Sequence, residues 1–485
     1  MKRLRLVAII VLFAGGCAPG SRPSQALAPC ALAEGPADAH CGVLDVWENR
    51  RAKSGRRIAL KVIVLPALRS AATARPVFLL AGGPGQGAAA LVDGWRRLLG
   101  PIQRAHDIVL VDTRGTGSSH PLECKETGSV LQGAELDARS TEVLRACLAA
   151  YRDYADVTQY TTANAVDDLD EVRARLGYST IDLYGVSYGT RVAMMYVSRY
   201  RARVGAVVLD SVFPPENHVP SFLARDAQRS LDLLVQGCEA NVPCRTRFPN
   251  LGARVQALLV RLAAAPQQIT LRDPRTGVAH EATVTRTRVT RTLLTALYVP
   301  EWTALVPLLI DQAERGRFDG VFALDRLAER LSDTIAKGLQ YSVLCAEDIA
   351  AGSNDAAPPA VSSFIGTDAE RAARHLCSVW PSEPTSASDW HSEPSDVAAL
   401  FISGELDPIT PPSWAELLAK RWTRARQIVV PGASHNASAS ECLVGIMAAF
   451  LTDPSADLDT SCVARHGREP FVLDTSGPDP SDRHR

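Results

Sequence analysis

Short, continuous apolar runs separated by glycine-rich or polar turns recur through the first half of the chain. They cover residues 57–65, 77–80, 108–111, 181–184 and 206–209. Strands that are buried on both faces of a parallel sheet give such runs, because neither face requires polar positions. Residues 162–176, between two of these runs, show helical spacing of apolar positions and are followed by a glycine. This alternation predicts an α/β fold with a mostly parallel sheet.

The pattern changes after the two prolines at positions 214 and 215. From there to about residue 395 it is mainly helical, apart from a predicted hairpin around residues 269–284. Strand-like runs return at residues 399–403 and 427–430. The predicted organisation is an N-terminal signal (residues 1–17), a core in two parts (residues 30–213 and 396–466), an inserted, mainly helical cap (residues 214–395) and a loose polar tail (residues 467–485).

The length and composition limit the classes of protein to be considered. The chain has 485 residues, more than the roughly 250–300 at which a single hydrophobic core stops growing. A hydrophobic fraction of 46% and a formal net charge of −1 are those of an ordinary globular protein. Neither a basic surface for nucleic acid nor an acidic, solvating block is present in the sequence. Nucleic acid is therefore not an expected partner.

The first 17 residues have the pattern of an export signal. Basic residues lie within positions 1–5, followed by an apolar run at positions 6–13 and small residues before Cys17. The run is shorter than the roughly 20 residues that span a bilayer. The pattern resembles a bacterial lipoprotein signal, in which cleavage precedes Cys17 and its thiol is acylated; an ordinary secretory signal is the alternative. We expect an exported protein, either a periplasmic or cell-envelope lipoprotein or a secreted one, that contacts a membrane only through this lipid.

The cysteine content also favours export. Setting Cys17 aside leaves ten of the eleven cysteines, an even number that suits an oxidising compartment. The sequence has no CxxC pair and no cysteine–histidine cluster at zinc spacing, so disulfides are favoured and no metal site is predicted. The sequence alone leaves the connectivity open. Pairing of neighbours would give Cys30–Cys41, Cys124–Cys147, Cys238–Cys244, Cys345–Cys377 and Cys442–Cys462.

A Gly-x-Ser-x-Gly pentapeptide at residues 185–189 follows one of the apolar runs and precedes a stretch with helical spacing. In that context it predicts a sharp turn from strand to helix, with Ser187 at the carboxyl edge of the sheet. The helix N-terminus beside it favours developing negative charge. Ser187 is therefore the predicted nucleophile. The alternative is a glycine-rich turn with an unreactive serine.

A serine hydroxyl is a weak nucleophile unless a base takes its proton. Of the ten histidines, His435 lies in the loop directly after the last strand-like run, at the predicted sheet edge that also holds Ser187. The acid should follow the preceding strand, because this type of fold orders its triad as serine, acid, histidine. Asp407 and Glu405 both meet that condition, and Asp407 is preferred. Its expected role is to fix the imidazole tautomer and stabilise the imidazolium.

Stabilisation of an oxyanion requires two backbone N–H donors. Tyr188, directly after the nucleophile, is predicted to supply one. The Gly-Gly-Pro-Gly turn at residues 82–85 is predicted to supply the other from Gly83, because Pro84 has no N–H. This turn lacks the residues of a phosphate-binding loop. In the next loop at the same edge, Arg114 is either a brace for the oxyanion loop or part of a surface turn.

Together these residues resemble the proline iminopeptidase and tripeptidyl aminopeptidase family of serine peptidases, in its exported branch. The motifs that carry the resemblance are Gly82-Gly83-Pro84-Gly85, Asp112-Thr113-Arg114-Gly115-Thr116-Gly117-Ser118, Gly185-Val186-Ser187-Tyr188-Gly189, Gly404-Glu405-Leu406-Asp407 and Gly432-Ala433-Ser434-His435. The resemblance implies an α/β-hydrolase core with an inserted helical cap, release of short units from peptide N-termini, and no cofactor. Many family members carry a histidine where this chain has Ala81.

An aminopeptidase must bind a free ammonium group, for which carboxylates are suitable partners. Glu347 and Asp348 are adjacent in the predicted cap. We hypothesise that Glu347 contacts the amine of a peptide substrate with help from Asp348; a helix-capping or solvated acidic pair is the alternative. The predicted function is an exported serine aminopeptidase. A carboxylic ester hydrolase with the same triad and a non-catalytic binding protein on the same scaffold stay open as alternatives, and the sequence leaves the oligomeric state open.

Overall fold

The computed structural model describes residues 27–32, 39–69, 74–124, 138–272, 276–350, 363–383 and 392–478. The strands in this part of the chain are β1 (Ala28–Cys30), β2 (Ala39–Trp47), β3 (Arg57–Leu65), β4 (Val77–Leu80), β5 (Ile108–Val111), β6 (Ile181–Val186), β7 (Val204–Asp210), β8 (Gln267–Arg272), β9 (Ala279–Val284), β10 (Ala398–Gly404), β11 (Ala425–Val430), β12 (Val472–Asp474) and β13 (Gly477–Pro478). The predicted signal and Cys17 lie outside the described residues.

The α-helices of the described residues are α1 (Val92–Leu98), α2 (Gly100–Gln103), α3 (Ala138–Tyr151), α4 (Thr162–Arg175), α5 (Tyr188–Tyr200), α6 (Val219–Ala240), α7 (Val242–Arg247), α8 (Leu251–Ala264), α9 (Arg286–Tyr298), α10 (Pro300–Thr303), α11 (Val306–Glu314), α12 (Asp319–Ser332), α13 (Lys337–Val343), α14 (Asp368–Val379), α15 (Pro412–Ala419) and α16 (Glu441–Thr452). A π-helical segment, Leu344–Ile349, continues directly from α13. None of the described helices is long and apolar enough to cross a membrane.

Nine strands form one sheet in the order β1-β2-β3-β5-β4-β6-β7-β10-β11. The pairs from β5 to β11 are parallel, and the pairs among β1, β2, β3 and β5 are antiparallel. Parallel strands end at the same edge of a sheet, so the loops after β4, β6, β7, β10 and β11 meet there. The predicted α/β fold with a mostly parallel sheet is confirmed.

Apolar side chains are buried on both faces of the sheet, which explains the continuous apolar runs in the sequence. In β4, Phe78 and Leu80 pack into one buried cluster, whereas Val77 and Leu79 pack into the other. Successive side chains of a strand point to opposite faces, so a short strand between two layers of helices must be apolar at every position. The sheet is thereby held rigidly from both sides, which fixes the positions of the loops at its carboxyl edge.

A helical insertion lies between β7 and β10, which are neighbours in the sheet. It contains α6 to α14 and the antiparallel β8–β9 hairpin, at the position where the sequence predicts one. The buried face of α6 includes Leu223, Ala227, Leu231 and Leu234, a helical spacing that presents one apolar stripe. These residues belong to the same buried cluster as Phe78 of the sheet. The cap therefore packs directly on the core.

All five disulfides obtained by pairing neighbouring cysteines are present. They are Cys30–Cys41, Cys124–Cys147, Cys238–Cys244, Cys345–Cys377 and Cys442–Cys462. Each closes a local loop, and the Cys345–Cys377 bond joins the π-helical segment to α14. Such cross-links restrict the unfolded chain and suit an oxidising compartment.

The segment from residue 467, predicted to be loose, is packed as far as residue 478. Phe471 is 3% exposed, and the N–H of Val472 donates a 3.1 Å hydrogen bond to the carbonyl oxygen of Ala304 in the cap. The segment packs because Phe471 is buried and the apolar residues after it are partly buried against the core, although its overall composition is polar. The remaining residues, 479–485, lie outside the described part of the chain.

Candidate active site

Ser187 lies in the sharp turn between β6 and α5. Its φ is 56° and its ψ is −122°, a conformation that costs a non-glycine residue about 1–3 kcal/mol. The flanking glycines allow this turn, since a Cβ on Gly185 would lie 2.5 Å from the carbonyl oxygen of Gly189. A Cβ on Gly189 would lie 2.0 Å from that of Leu80. The strand-to-helix turn is therefore formed as the pentapeptide predicts, and Ser187 lines a cavity.

The side chains of Ser187, His435 and Asp407 form a continuous hydrogen-bonded chain. Oγ of Ser187 is 2.9 Å from Nε2 of His435, and Nδ1 of His435 is 2.8 Å from Oδ2 of Asp407. An ionised carboxylate only accepts hydrogen bonds, so Nδ1 donates to Asp407 and Nε2 accepts from Ser187. The structure thus brings together three residues that the sequence places on separate loops. This geometry suits transfer of a proton from the serine to the histidine.

Asp407 is fully buried, and its oxygens accept four hydrogen bonds. Oδ1 accepts from the N–H groups of Ile409 (2.8 Å) and Thr410 (3.0 Å), and Oδ2 accepts from the Thr410 hydroxyl (2.7 Å) as well as from His435. Burial alone raises the pKa of Asp407, but His435 and these donors outweigh burial and lower the pKa. For His435, burial lowers the pKa, but the negative charge of Asp407 outweighs it and raises the pKa above its usual value.

Glu405, the second candidate for the acid, has a different contact. Its side chain is exposed and accepts a 2.8 Å hydrogen bond from the N–H of Gly432, in the loop that leads to His435.

Tyr298 at the end of α9 packs edge-on against the imidazole of His435, with ring centroids 5.0 Å apart. His435 is therefore held by Asp407 from the core and by an aromatic ring from the cap.

The glycine-rich loop after β4 passes directly beside the nucleophile. Gly82 and Gly83 line the same cavity as Ser187, and a Cβ on Gly82 would lie 3.2 Å from the Cβ of Ser187. Gly83 has a φ of +113°, a conformation that favours glycine. Tyr188 is the first residue of α5, and the first N–H groups of a helix have no partner within it. Tyr188 therefore follows Ser187 directly, and Gly83 lies in the loop that passes beside Ser187 and lines the same cavity.

Asp112, rather than Arg114, braces the segment that follows this loop. The Asp112 carboxylate accepts hydrogen bonds from the successive N–H groups of Ala89 (2.8 Å) and Ala90 (3.1 Å). Arg114 is fully buried and forms an ion pair with Asp168 of α4 at 2.7 Å. Arg114 is thus neither a brace of the oxyanion loop nor part of a surface turn, because its guanidinium finds its partner inside the core.

The cavity has a volume of about 650 Å³ and lies between the core and the cap. Its apolar lining comes largely from the cap and the loop before it: Phe213, Val219, Leu223, Leu294 and Leu344. Its described lining residues also include the carboxylates of Glu301, Asp348 and Glu469, but no lysine or arginine. Asp348 is paired with Arg191, which lies outside the lining, but an excess of carboxylates in the lining still favours cationic ligands.

Glu347, which we predicted to contact the amine of a substrate, is fully buried and does not line this cavity. Its Oε1 accepts a 2.6 Å hydrogen bond from the N–H of Thr162, and its Oε2 accepts one of 2.7 Å from the Thr162 hydroxyl. That hydroxyl in turn accepts a 2.6 Å bond from the phenol of Tyr188. Burial raises the pKa of Glu347 to about 7. The structure thus gives Glu347 an internal contact that joins the cap to α4 and α5.

Asp348 is the member of the acidic pair that lines the cavity, and it is 6% exposed. Its two oxygens lie 3.0 and 3.2 Å from the guanidinium nitrogens of Arg191, and Oδ1 lies 3.7 Å from Nδ1 of His218. Burial alone raises the pKa of Asp348, but Arg191 and His218 outweigh burial and lower the pKa. Arg191 also lies 3.9 Å from Glu347. Two carboxylates therefore share the charge of one guanidinium.

Three residues next to Ser187, His435 and Asp407 were not predicted from the sequence to belong to the site: Thr410, Tyr298 and Asp210. Thr410 lies three residues after Asp407, a spacing that favours a local turn in which the carboxylate accepts backbone N–H groups. Asp210 ends an apolar run, which was the available signal for it. Tyr298 has no local signal, because only the packing of the cap brings α9 over His435.

Comparison with known proteins agrees with this fold. Residues 75–289 match the model of the alpha/beta hydrolase fold, and residues 362–462 match that of the TAP-like protein. Ser187 lies in the first region, and Asp407 and His435 lie in the second.

The named relatives include a serine protease, a tripeptidyl aminopeptidase and a proline iminopeptidase. Serine protease Hip1 of Mycobacterium tuberculosis is 25% identical over 423 residues, 78% of each chain. Tripeptidyl aminopeptidase of Streptomyces lividans is 32% identical over 129 residues, 23% of each chain. Proline iminopeptidase of Neisseria gonorrhoeae is 28% identical over 138 residues, 28% of this chain and 33% of its own. The resemblance predicted from the motifs is confirmed.

Proposed function

The chain is a serine hydrolase of the α/β-hydrolase fold, related to the tripeptidyl aminopeptidases, and from this premise we propose that it is an aminopeptidase. It would release short units from peptides with a free N-terminus, with Ser187, His435 and Asp407 as its triad. The observation that carries the proposal is the Asp348 carboxylate on the wall of the cavity that also contains Ser187 and His435.

The proposed mechanism is acyl transfer. Ser187 attacks the carbonyl carbon of the peptide bond while Nε2 of His435 accepts the hydroxyl proton, and Asp407 stabilises the resulting imidazolium. The N–H groups of Gly83 and Tyr188 stabilise the oxyanion. His435 then protonates the leaving amine. A water molecule attacks the acyl-enzyme while His435 accepts its proton, and His435 returns that proton to Oγ of Ser187 as the acid product leaves.

In this proposal Asp348 binds the ammonium group of the substrate. Its carboxylate is charged and almost fully buried in a largely apolar cavity wall, where an ion pair is stronger than at an exposed surface. Arg191 balances the charge of one of the two carboxylates, so the cluster of Arg191, Glu347 and Asp348 is negative to the extent that Glu347, whose pKa burial raises to about 7, is ionised. A substrate ammonium would then neutralise the cluster. An N-acetylated peptide lacks that charge and would lose the contact.

Three matched substrates test this function: a tripeptide amide with a free N-terminus, the same tripeptide acetylated, and a short acyl ester. We expect the purified protein to cleave the free tripeptide preferentially. Ser187→Ala should lose turnover by roughly 10⁶-fold, as removal of such a nucleophile does elsewhere. Cleavage of the ester alone would leave the triad in place and contradict the aminopeptidase function.

Asp348→Asn tests the amine contact directly. It should raise KM for the free tripeptide and leave hydrolysis of the ester nearly unchanged. Glu301→Gln and Glu469→Gln are matched controls, because these carboxylates line the same cavity but are exposed to solvent. Equal effects of all three variants would mean that only the general negative potential matters, and would contradict a specific contact with Asp348.

A carboxylic ester hydrolase is the second candidate, favoured by the apolar lining from Phe213, Val219 and Leu223. An acyl chain would fit such a wall. The preference between the free tripeptide and the ester then decides, because an esterase has no need of a charged amine. Preference for the ester with no effect of Asp348→Asn is the result that this candidate predicts.

Export is part of the proposal and is supported by five disulfides and by the pattern of residues 1–17. We expect the chain to be lipidated at Cys17 and held at the cell envelope. Fractionation of cells that produce the full chain, followed by mass spectrometry of the N-terminus, would detect the lipid. In Cys17→Ser the protein should move to the soluble fraction; an unchanged distribution would contradict lipidation.

A further inference from the structure

Asp210 lies between the two halves of the proposed triad. It is the last residue of β7, paired with Val186 of the nucleophile strand on one side and with Ile402 of the acid strand on the other. Its carbonyl oxygen accepts a 2.8 Å hydrogen bond from the N–H of Ser187. The main chain of Asp210 therefore fixes the strained turn that carries the nucleophile.

The carboxylate of Asp210 holds the loop that carries the histidine. Oδ1 accepts a 3.1 Å bond from the N–H of Ala437, and Oδ2 accepts bonds from the N–H (3.0 Å) and the hydroxyl (2.5 Å) of Ser438. The Ser211 hydroxyl donates to Oδ1 at 3.3 Å and accepts a 2.9 Å bond from the N–H of Asn436. Asp210 and its neighbour thus bind the three successive N–H groups that follow His435.

This carboxylate is fully buried, and none of the described ion pairs includes it. A buried carboxylate without a cation is costly unless hydrogen bonds replace its hydration. Here all the donors come from Ser211, Ala437 and Ser438, and the phenol of Tyr184 in turn donates to the Ser438 hydroxyl at 2.7 Å. Most donors to the carboxylate belong to the loop that follows His435, so the carboxylate orders that loop in particular.

From this geometry we propose that Asp210 is the positioning residue that sets the separation between Ser187 and His435. Its carbonyl oxygen binds the N–H of Ser187, and its carboxylate binds the loop that follows His435. The inference rests on the proposed roles of Ser187 and His435. It assigns Asp210 no contact with the substrate, so its loss should affect turnover rather than binding.

Asp210→Asn tests this inference, because an amide offers only one acceptor oxygen. Its NH₂ group would face a backbone N–H of Ala437 or Ser438, which would release the loop. We expect kcat to fall by roughly 100-fold, as for a small misplacement of catalytic groups, with KM nearly unchanged for the tripeptide amide and the ester. Modification of Ser187 by a small fluorophosphonate should slow to the same extent.

Asp182→Asn is the matched control. Asp182 is equally buried, lies near the opposite end of β6, and accepts 2.7 Å hydrogen bonds from Arg75 and from the N–H of Ala206. It should lower the thermal unfolding midpoint without changing kcat or the modification rate. A wild-type modification rate in folded Asp210→Asn, or an equal fall in both variants, overturns the inference.

Ser187→Ala separates this inference from the proposed function. Fluorophosphonate modification that persists in Ser187→Ala overturns the proposed function, and the inference with it. Modification that is lost in Ser187→Ala but unchanged in Asp210→Asn overturns the inference alone. If Asp210→Asn does not fold, Ser438→Ala is the deciding variant, because it removes one hydrogen-bond donor and keeps the Asp210 carboxylate. Slower modification of Ser187 with unchanged KM supports the inference. A wild-type modification rate overturns it.

Discussion

The hydroxyl of Thr410 donates a 2.7 Å hydrogen bond to Oδ2 of Asp407, the oxygen that also accepts from Nδ1 of His435. The same hydroxyl lies 3.4 Å from Nδ1. Thr410 also donates its N–H to the other carboxylate oxygen at 3.0 Å. The turn from Asp407 to Thr410 therefore holds the carboxylate independently of the imidazole. The carboxylate, held in this position, orients the ring of His435.

Thr410→Val should lower kcat by roughly 10- to 100-fold, since a hydrogen bond to a charged group contributes about 1.5–3 kcal/mol. KM should change little, because the hydroxyl acts through Asp407. Thr410→Ser is the matched control, because it keeps the hydroxyl. Steady-state kinetics on the free tripeptide would check this, and a valine variant with wild-type kcat would show that the N–H bonds alone hold Asp407.

The pH profile should report the raised pKa of His435. The base must be neutral to accept a proton, so kcat/KM should rise with pH through a pKa above the usual value of about 6.5 and fall as the pH drops below it. Asp407, whose pKa is lowered, stays ionised throughout this limb.

In Asp407→Asn the charge that raises the pKa of His435 is removed, so the acid limb should move to lower pH. Turnover itself should fall by about 10⁴-fold, as in other triads that lose this charge, and a reactive ester is therefore the suitable substrate. A limb at the same pH in both proteins would show that Asp407 does not set the pKa of His435.

Glu347→Gln should reduce kcat/KM by roughly 10-fold on the free tripeptide, the acetylated tripeptide and the ester alike. The reason is that Glu347 is sealed inside the protein and acts through Thr162 and Tyr188. Initial rates on the three substrates, with Thr162→Ser as a variant that keeps the hydroxyl, would measure this. A loss confined to the free tripeptide would instead support direct contact between Glu347 and the amine.

Removal of the Cys345–Cys377 disulfide by a double change to alanine should destabilise the protein by about 2–4 kcal/mol. It should also raise KM for the free tripeptide, because this bond holds the π-helical segment that carries Asp348. Removal of Cys30–Cys41, at the edge of the sheet, is the control and should lower stability without altering KM. Thermal unfolding and kinetics on both variants would reveal whether the two effects are separable.

Some features of this protein were encoded locally and were therefore readable from the sequence. Gly185 and Gly189 mark the turn at Ser187, because only glycine leaves room for the neighbouring backbone. Most strands of the main sheet and the inserted cap follow from apolar runs and helical spacing, but β1 and β2 were not predicted. The ten cysteines indicated disulfides without fixing their connectivity, and the structure shows that neighbours along the chain pair. His435 and Asp407 follow because the ends of parallel strands meet at one sheet edge.

Other features depend on which distant groups a side chain meets. Glu347 and Asp348 are adjacent in sequence, yet Glu347 binds Thr162 inside the protein and Asp348 lines the cavity. The partner of Glu347 lies 185 residues away, and neither local spacing nor composition contains that information. The sequence by itself indicated Ser187, His435 and Asp407 as the proposed triad. The tertiary structure decided which carboxylate is available to a substrate, because burial and hydrogen-bond partners arise only when the cap packs on the core.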